Sequence, residues 1–253
     1  GLREKHMNDT WRQIRPATAI LICASIMLTL SMGLRQSLGL FMQPMTRDIA
    51  LTVSEFTFAI AIQNLAWGLA QPFTGALVVR AGYRAVMVAG GVLYVLGLVC
   101  LAIADGVWMV TLGAGVLIGL ALACNASSIA NAVASRAVPA GVRSTVLGLV
   151  SAAGSLGAML AAPIGQSLQT EFGWRMGVLG FVVVSLVLIP VGWIAGRVDR
   201  VPLPPRVPSD VHEEDDARRM AMAALRHLPF LVMTVAFFVC GMQLVFLTTH
   251  LPS

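Results

Sequence analysis

Charge is what this sequence has least of. Asp, Glu, Lys and Arg make up 11% of its 253 residues, whereas a soluble globular domain carries about 25%, so water is not the main solvent of this chain. Lysine is nearly absent. Lys5 is the only one, which opposes a seven-helix photoreceptor, because retinal attachment requires a lysine in the last span. No Asp or Glu falls within a long apolar run, and His6, His212, His227 and His250 lie outside such runs or at their ends. An enzyme working at membrane depth needs paired acids, metal ligands or a nucleophile with its base, so catalysis is not expected. Cys23, Cys100, Cys124 and Cys240 fall inside apolar runs with neither disulfide-framework nor zinc spacing. They read as small packing residues, and no metal or cofactor is expected.

Hydrophobic residues, by contrast, reach 57%. A bilayer core about 30 Å thick needs about 20 apolar residues of helix, and runs of that length recur. They cover residues 16–42 (interrupted by Arg35), 56–79, 85–104, 107–130, 144–168, 176–196 and 229–251. Helix is the reading for all of them, since an open sheet edge cannot face lipid. A signal peptide is the rival for the first run, but the uncharged stretch of residues 16–34 exceeds an ordinary h-region and more spans follow at once. The expected fold class is an all-α membrane protein with seven transmembrane helices.

A net charge of +5 could suggest nucleic acid, yet the basic residues form no continuous stripe that would track phosphates. Loop parity explains them better. One side holds Arg3, Lys5, Arg12 and Arg15, then Arg80 and Arg84, Arg136 and Arg143, and finally Arg197, Arg200, Arg206, Arg218, Arg219 and Arg226. The other holds only Arg47 and Arg175. The excess marks the cytoplasmic face, so the expectation is a multi-pass cell inner membrane protein with its N-terminus inside.

The organisation that follows is a cytoplasmic segment at 1–15, a six-helix bundle at 16–196, a linker at 197–228 and a seventh helix at 229–253. Pro202, Pro204, Pro205 and Pro208 keep the first part of the linker extended. Its second part reads as an amphipathic helix, with Ala217, Met220, Ala221, Ala224 and Leu228 on one face, either lying on the inner membrane surface or simply solvated. The chain opens on Gly1, has its first methionine at Met7, and ends directly after an apolar run. It reads as a fragment whose missing partner is the C-terminal half of the same polypeptide.

Ionisable groups inside spans usually face a partner or a water-filled cavity, and here there is one, Arg35. An anionic substrate would supply its missing partner. Alternatively the long side chain, read as near the outer end of its span, snorkels to the interface. In the second run Asn64, Gly68, Gln71 and Gly75 recur at spacings of four, three and four, which puts them on one helix face with Pro72. Asn125, Ser128 and Asn131 group at helical spacing in the fourth, suited to interhelical hydrogen bonds or to substrate contact.

The segment Gly75-Ala-Leu-Val-Val-Arg80-Ala-Gly82-Tyr-Arg84 resembles the loop motif between the second and third helices of the major facilitator superfamily. Gly75, Arg80, Gly82 and Arg84 match, while Val79 stands at the motif's acidic position and Ala85 at its final basic one. Gly173-Trp174-Arg175 resembles that family's opening of the sixth helix, and Gly154, Gly157, Pro163 and Gly165 its fifth-helix glycine-proline pattern. The arginine usual in the fourth helix is replaced by Gly115. Within the superfamily, Gly33-Leu-Arg35-Gln-Ser37-Leu-Gly39-Leu-Phe41 is similar to the first helix of monocarboxylate transporter-like and oxalate/formate antiporter-like members. The first-helix lysine of the animal proteins falls nearest Gln36, one residue from Arg35. The resemblance implies two inverted three-helix repeats in this half and alternating access about a midplane site. It implies a secondary transporter of small organic solutes, carboxylate anions among them, with a coupling proton or counter-anion. A non-transporting truncated membrane protein and a seven-helix receptor are the alternatives.

Overall fold

The computed structural model describes residues 2–202, 219 and 222–250. Of the expected amphipathic helix, residues 219 and 222–226 are described and helical, while the rest of it and most of the proline-rich stretch before it lie outside the described residues. The chain divides into two units, Gly1–Pro202 and Leu203–Ser253. The second contains one long apolar helix, Leu228–His250, numbered α11 below.

In the first unit the elements are α1 (Leu2–Ile14), α2 (Thr18–Ser37), α3 (Met42–Asp48), α4 (Val53–Ala102), α5 (Val107–Val110), α6 (Ile118–Asn125), α7 (Ser127–Ala137), α8 (Arg143–Phe172), α9 (Trp174–Ser185) and α10 (Leu188–Ala195). Among the described residues there is no strand. The one β feature is a bridge between Ala50 and Gly106 that ties two loops together at the arginine-poor end.

Among the described residues six stretches are long and apolar enough to cross a membrane. One of them, α4, has 50 residues and as a single rod would reach about 75 Å, far beyond a bilayer core of about 30 Å. It is broken at Gly82, whose φ of 85° and ψ of 165° turn the chain, a conformation that a β-carbon disfavours. The halves before and after Gly82 are separate crossings, and with them the described helices make seven passes.

Several helices outrun the apolar stretches that announce them. The first continues through a 3-10 turn at Leu38–Phe41 and on to Asp48, and the fourth reaches Ala137. Backbone groups keep bonding to each other as the chain enters the polar headgroup layer, so hydropathy underestimates length. A capping box starts the second crossing. Thr52 Oγ1 accepts from Glu55 N at 3.1 Å, and Thr52 N donates to the Glu55 carboxylate at 2.8 Å.

Packing is pairwise. α2 lies along α8, α6 with its preceding π-helical turn (Thr111–Leu117) lies between the halves of α4, and α10 covers α4 and α2. Exchanging the first three crossings for the next three maps the α2–α8 pair onto the α6–α4 pair. Because each repeat has an odd number of helices, the two run in opposite directions through the membrane. The α2–α8 contact is close. A β-carbon added to Gly157 would stand 2.6 Å from the Thr29 carbonyl oxygen, and one added to Gly33 would stand 2.9 Å from that of Gly157. Backbone meets backbone here, as small residues allow in lipid.

Candidate functional site

Arg35 stands 13 residues before Asp48 and 17 after Thr18. It is thus about 20 Å or more from either end of its helical stretch, at a rise of about 1.5 Å per residue. Beyond Arg35 the helix runs on through residues 38–48. Its side chain turns inward, with 8% of its surface exposed. Its Nη2 donates to Asn64 Oδ1 at 2.7 Å, and the guanidinium lies over the Trp67 ring at 5.1 Å. Arg35 Nε and Trp67 Nε1 are buried donors with no acceptor. Among the described residues no carboxylate forms an ion pair with Arg35.

Asn64 is itself held. Its Nδ2 donates to the Ile60 carbonyl at 2.8 Å, one turn earlier in α4, so its oxygen is directed at Arg35. Trp67 was not singled out by sequence, because an aromatic residue in an apolar run looks like packing. Its signal is the spacing of three from Asn64 and four to Gln71, which places all three on one helix face. Gln36 is half-buried on α2, and the cluster is built on Arg35, one residue earlier.

Further along the same α4 face, Gln71 Oε1 accepts from Ser128 Oγ at 2.8 Å, linking the second crossing to α7. Asn125 is not part of this face. It is fully buried, and with its amide oriented to suit its neighbours it donates to the carbonyls of Cys124 (3.1 Å) and Met87 (3.0 Å) and accepts from Gly91 N (3.0 Å). Its hydrogen-bonding capacity is used between helices. Gln63 is likewise buried, donating to the Ala114 carbonyl at 2.7 Å, inside the π-helical turn.

At the arginine-rich end the loop residues take distinct places. Gly82 makes the turn, while Arg80 and Gly75 are exposed. At Gly75 a β-carbon would touch nothing within 4 Å among the described residues. Arg84 donates from Nε to the Trp193 carbonyl at 3.1 Å and stacks on the Trp193 ring at 4.5 Å. The acid missing at Val79 is supplied from elsewhere. Asp199, in the 3-10 turn Gly196–Arg200, accepts from Tyr83 N at 2.9 Å and Arg84 N at 3.1 Å. Arg136 approaches it at 4.0 Å and donates to the Val201 carbonyl at 3.0 Å. A carboxylate over the first N–H groups of a helix satisfies orphan donors and opposes the dipole. Asp199 lies 116 residues from Tyr83, and no local sequence signal joins them.

The opposite end is clasped by Trp174 and Arg175. Trp174 Nε1 donates to Asp48 Oδ2 at 2.7 Å. Arg175 stacks on that ring at 4.5 Å and donates to the carbonyls of Ala102 (2.8 Å) and Ala104 (3.1 Å), covering the open C-terminal end of α4. Among the described residues no three His, Cys, Asp or Glu gather as a metal site would require.

Comparison with known proteins places this geometry. The chain is 32% identical over 167 residues to Monocarboxylate transporter 11 of Mus musculus, covering 64% of this chain and 36% of that protein. It is 30% identical over 154 residues to Monocarboxylate transporter 3 of Mus musculus, with 59% and 30% covered. It is 28% identical over 166 residues to MFS-type transporter eupM of Phoma sp, with 63% and 54% covered. The matched regions thus span about a third of the length of those monocarboxylate transporters. The family model of the Major Facilitator Superfamily matches residues 21–253. With an all-helical bundle of paired, oppositely running repeats and that match across nearly its whole length, this chain belongs to the major facilitator superfamily.

Proposed function

We propose that the full-length protein is a secondary transporter of small organic anions, monocarboxylates foremost, which it moves across the cell inner membrane by alternating access. The observation that carries this reading is Arg35, a buried guanidinium within a membrane-spanning stretch, with an amide and an aromatic ring for company and a buried Nε that lacks an acceptor. Burying such a charge costs about 2.5–3.5 kcal/mol on insertion scales, and a cost of that kind persists at functional positions. A carboxylate entering this region gains charge-assisted hydrogen bonds and relieves the unpaired charge. The named relatives support the substrate class.

On this reading Arg35 neutralises the anion, with a proton or counter-anion coupled to its passage. Asn64, Gln71 and Ser128 border its path, Gln36 lies beside it, and Asn125 braces the helices behind. The arginine-rich end faces the cytoplasm, the bundle of residues 16–196 forms one rocking half, and residues 229–253 begin the other across the linker at 197–228. The activity is transport, with no chemical conversion of the solute.

The test is uptake of a panel of radiolabelled mono- and dicarboxylates into proteoliposomes by the full-length protein and its Arg35→Gln variant. Monocarboxylate flux in the wild type that is lost in the variant supports the proposal. No carboxylate flux in the wild type, or equal flux in both, overturns it.

A further inference from the structure

The partner of Arg35 is an amide where an acid of the same size would fit. Asn64 and aspartate differ by one atom, and an aspartate at 2.7 Å from Nη2 would form a buried ion pair. Asn64 instead holds the guanidinium through a neutral oxygen, and that oxygen is aimed by the bond from its own Nδ2 to the Ile60 carbonyl at 2.8 Å. Trp67 covers one face of the guanidinium. What remains is an oriented positive charge with an unused Nε–H, beside an indole N–H that also lacks an acceptor. Buried donors without partners call for an explanation, and these two call for a ligand that only accepts.

Building on the proposed carboxylate reading, we infer that Asn64 is a positioning residue that fixes the Arg35 guanidinium without neutralising it, and so makes the site select anions over neutral or cationic solutes. Its action runs through Arg35. Truncating Asn64 frees the guanidinium to sample other rotamers, whereas an acid there occupies the charge meant for the substrate.

The experiment compares Asn64→Asp, Asn64→Leu and Arg35→Gln in the full-length protein, reconstituted in proteoliposomes, with radiolabelled L-lactate and a monocarboxylate panel as probes. Monodispersity in detergent and helical circular dichroism serve as folding controls. Asn64→Leu raises KM by about three- to tenfold with Vmax within about twofold of wild type, the loss of one charge-assisted bond. Asn64→Asp raises KM by more than about tenfold, since an internal anion competes at the same atoms. A purely structural role would lower Vmax and yield together and leave KM in place. Should Asn64→Asp fail to fold, the KM shift of Asn64→Leu decides. Wild-type KM in a folded Asn64→Leu or Asn64→Asp protein, beside an inactive Arg35→Gln, overturns this inference alone. Unchanged flux in Arg35→Gln overturns the underlying reading and this inference with it.

Discussion

Removing the carboxylate of Asp199 tests whether the arginine-rich end is held by one residue that hydropathy cannot reveal. In Asp199→Ala two hydrogen bonds disappear, from Tyr83 N at 2.9 Å and Arg84 N at 3.1 Å. Each contributes about 1 kcal/mol net. The favourable charge at the start of the helix is also lost, about 0.3–1 kcal/mol. The Arg136 contact is long at 4.0 Å, with the two side chains 20% and 30% exposed, so it adds well under about 1 kcal/mol. The total is about 2–3 kcal/mol. For a chain of this size a kilocalorie moves the melting midpoint by about 2–4 °C, so Asp199→Ala lowers it by about 4–12 °C. Asp199→Asn, which keeps one acceptor and loses the charge, falls between the two. The assay is thermal unfolding of the detergent-purified protein, followed by intrinsic tryptophan fluorescence. An Asp199→Ala midpoint within about 1 °C of wild type would refute the reasoning.

Three further outcomes are expected, the first and last from the same thermal assay and the second from the yield of monodisperse protein. Gly82→Ala lowers the midpoint because φ is +85° and the new β-carbon would stand 2.8 Å from the Asp199 carboxylate. Combined with Asp199→Ala it is less than additive, because the clash vanishes while the backbone strain stays. Gly157→Val, placed where Thr29 leaves no room, forces α2 and α8 apart and reduces the yield of monodisperse protein, whereas Gly148→Val on the same helix, in open space, does not. Arg175→Ala uncovers the Ala102 and Ala104 carbonyls and lowers the midpoint by about 2–6 °C, with Arg175→Lys recovering only part because an ammonium lacks the fork that meets two carbonyls at once.

The crossings were legible in the sequence because a bilayer imposes its own length scale and forbids unpaired backbone within it. Gly82 was legible as part of the loop between the second and third apolar runs, and its role as the break in a 50-residue helix is a structural fact. The segment Met42–Asp48 was not, because its polar residues lie where the apolar signal has ended although the helix has not. Nor was the π-helical turn Thr111–Leu117, which is braced by Gln63 from another helix. Within the candidate site Arg35 announced itself as a lone charge in an apolar run, and Asn64 by its spacing along α4. That the two are bonded is a tertiary fact across 29 residues. Asn125 shows the converse. Polarity made it a candidate, and burial against Gly90 and Gly91 made it a brace.

Hydrogen bonds between distant segments gather at both ends of the bundle. At one end Asp199, Arg136 and Arg84 bind backbone groups of helices they do not belong to. At the other, Arg175 binds the Ala102 and Ala104 carbonyls and Trp174 the Asp48 carboxylate. Each of these side chains joins crossings that are distant in sequence, so the helices of residues 2–202 are tied at top and bottom and resist sliding past one another. Midway between the clasps, Arg35 Nε and Trp67 Nε1 keep donors without acceptors. A body tied at both ends suits a half that rocks as a unit about a midplane solute. On that reading a disulfide between α2 and α8, within the half, would leave flux intact.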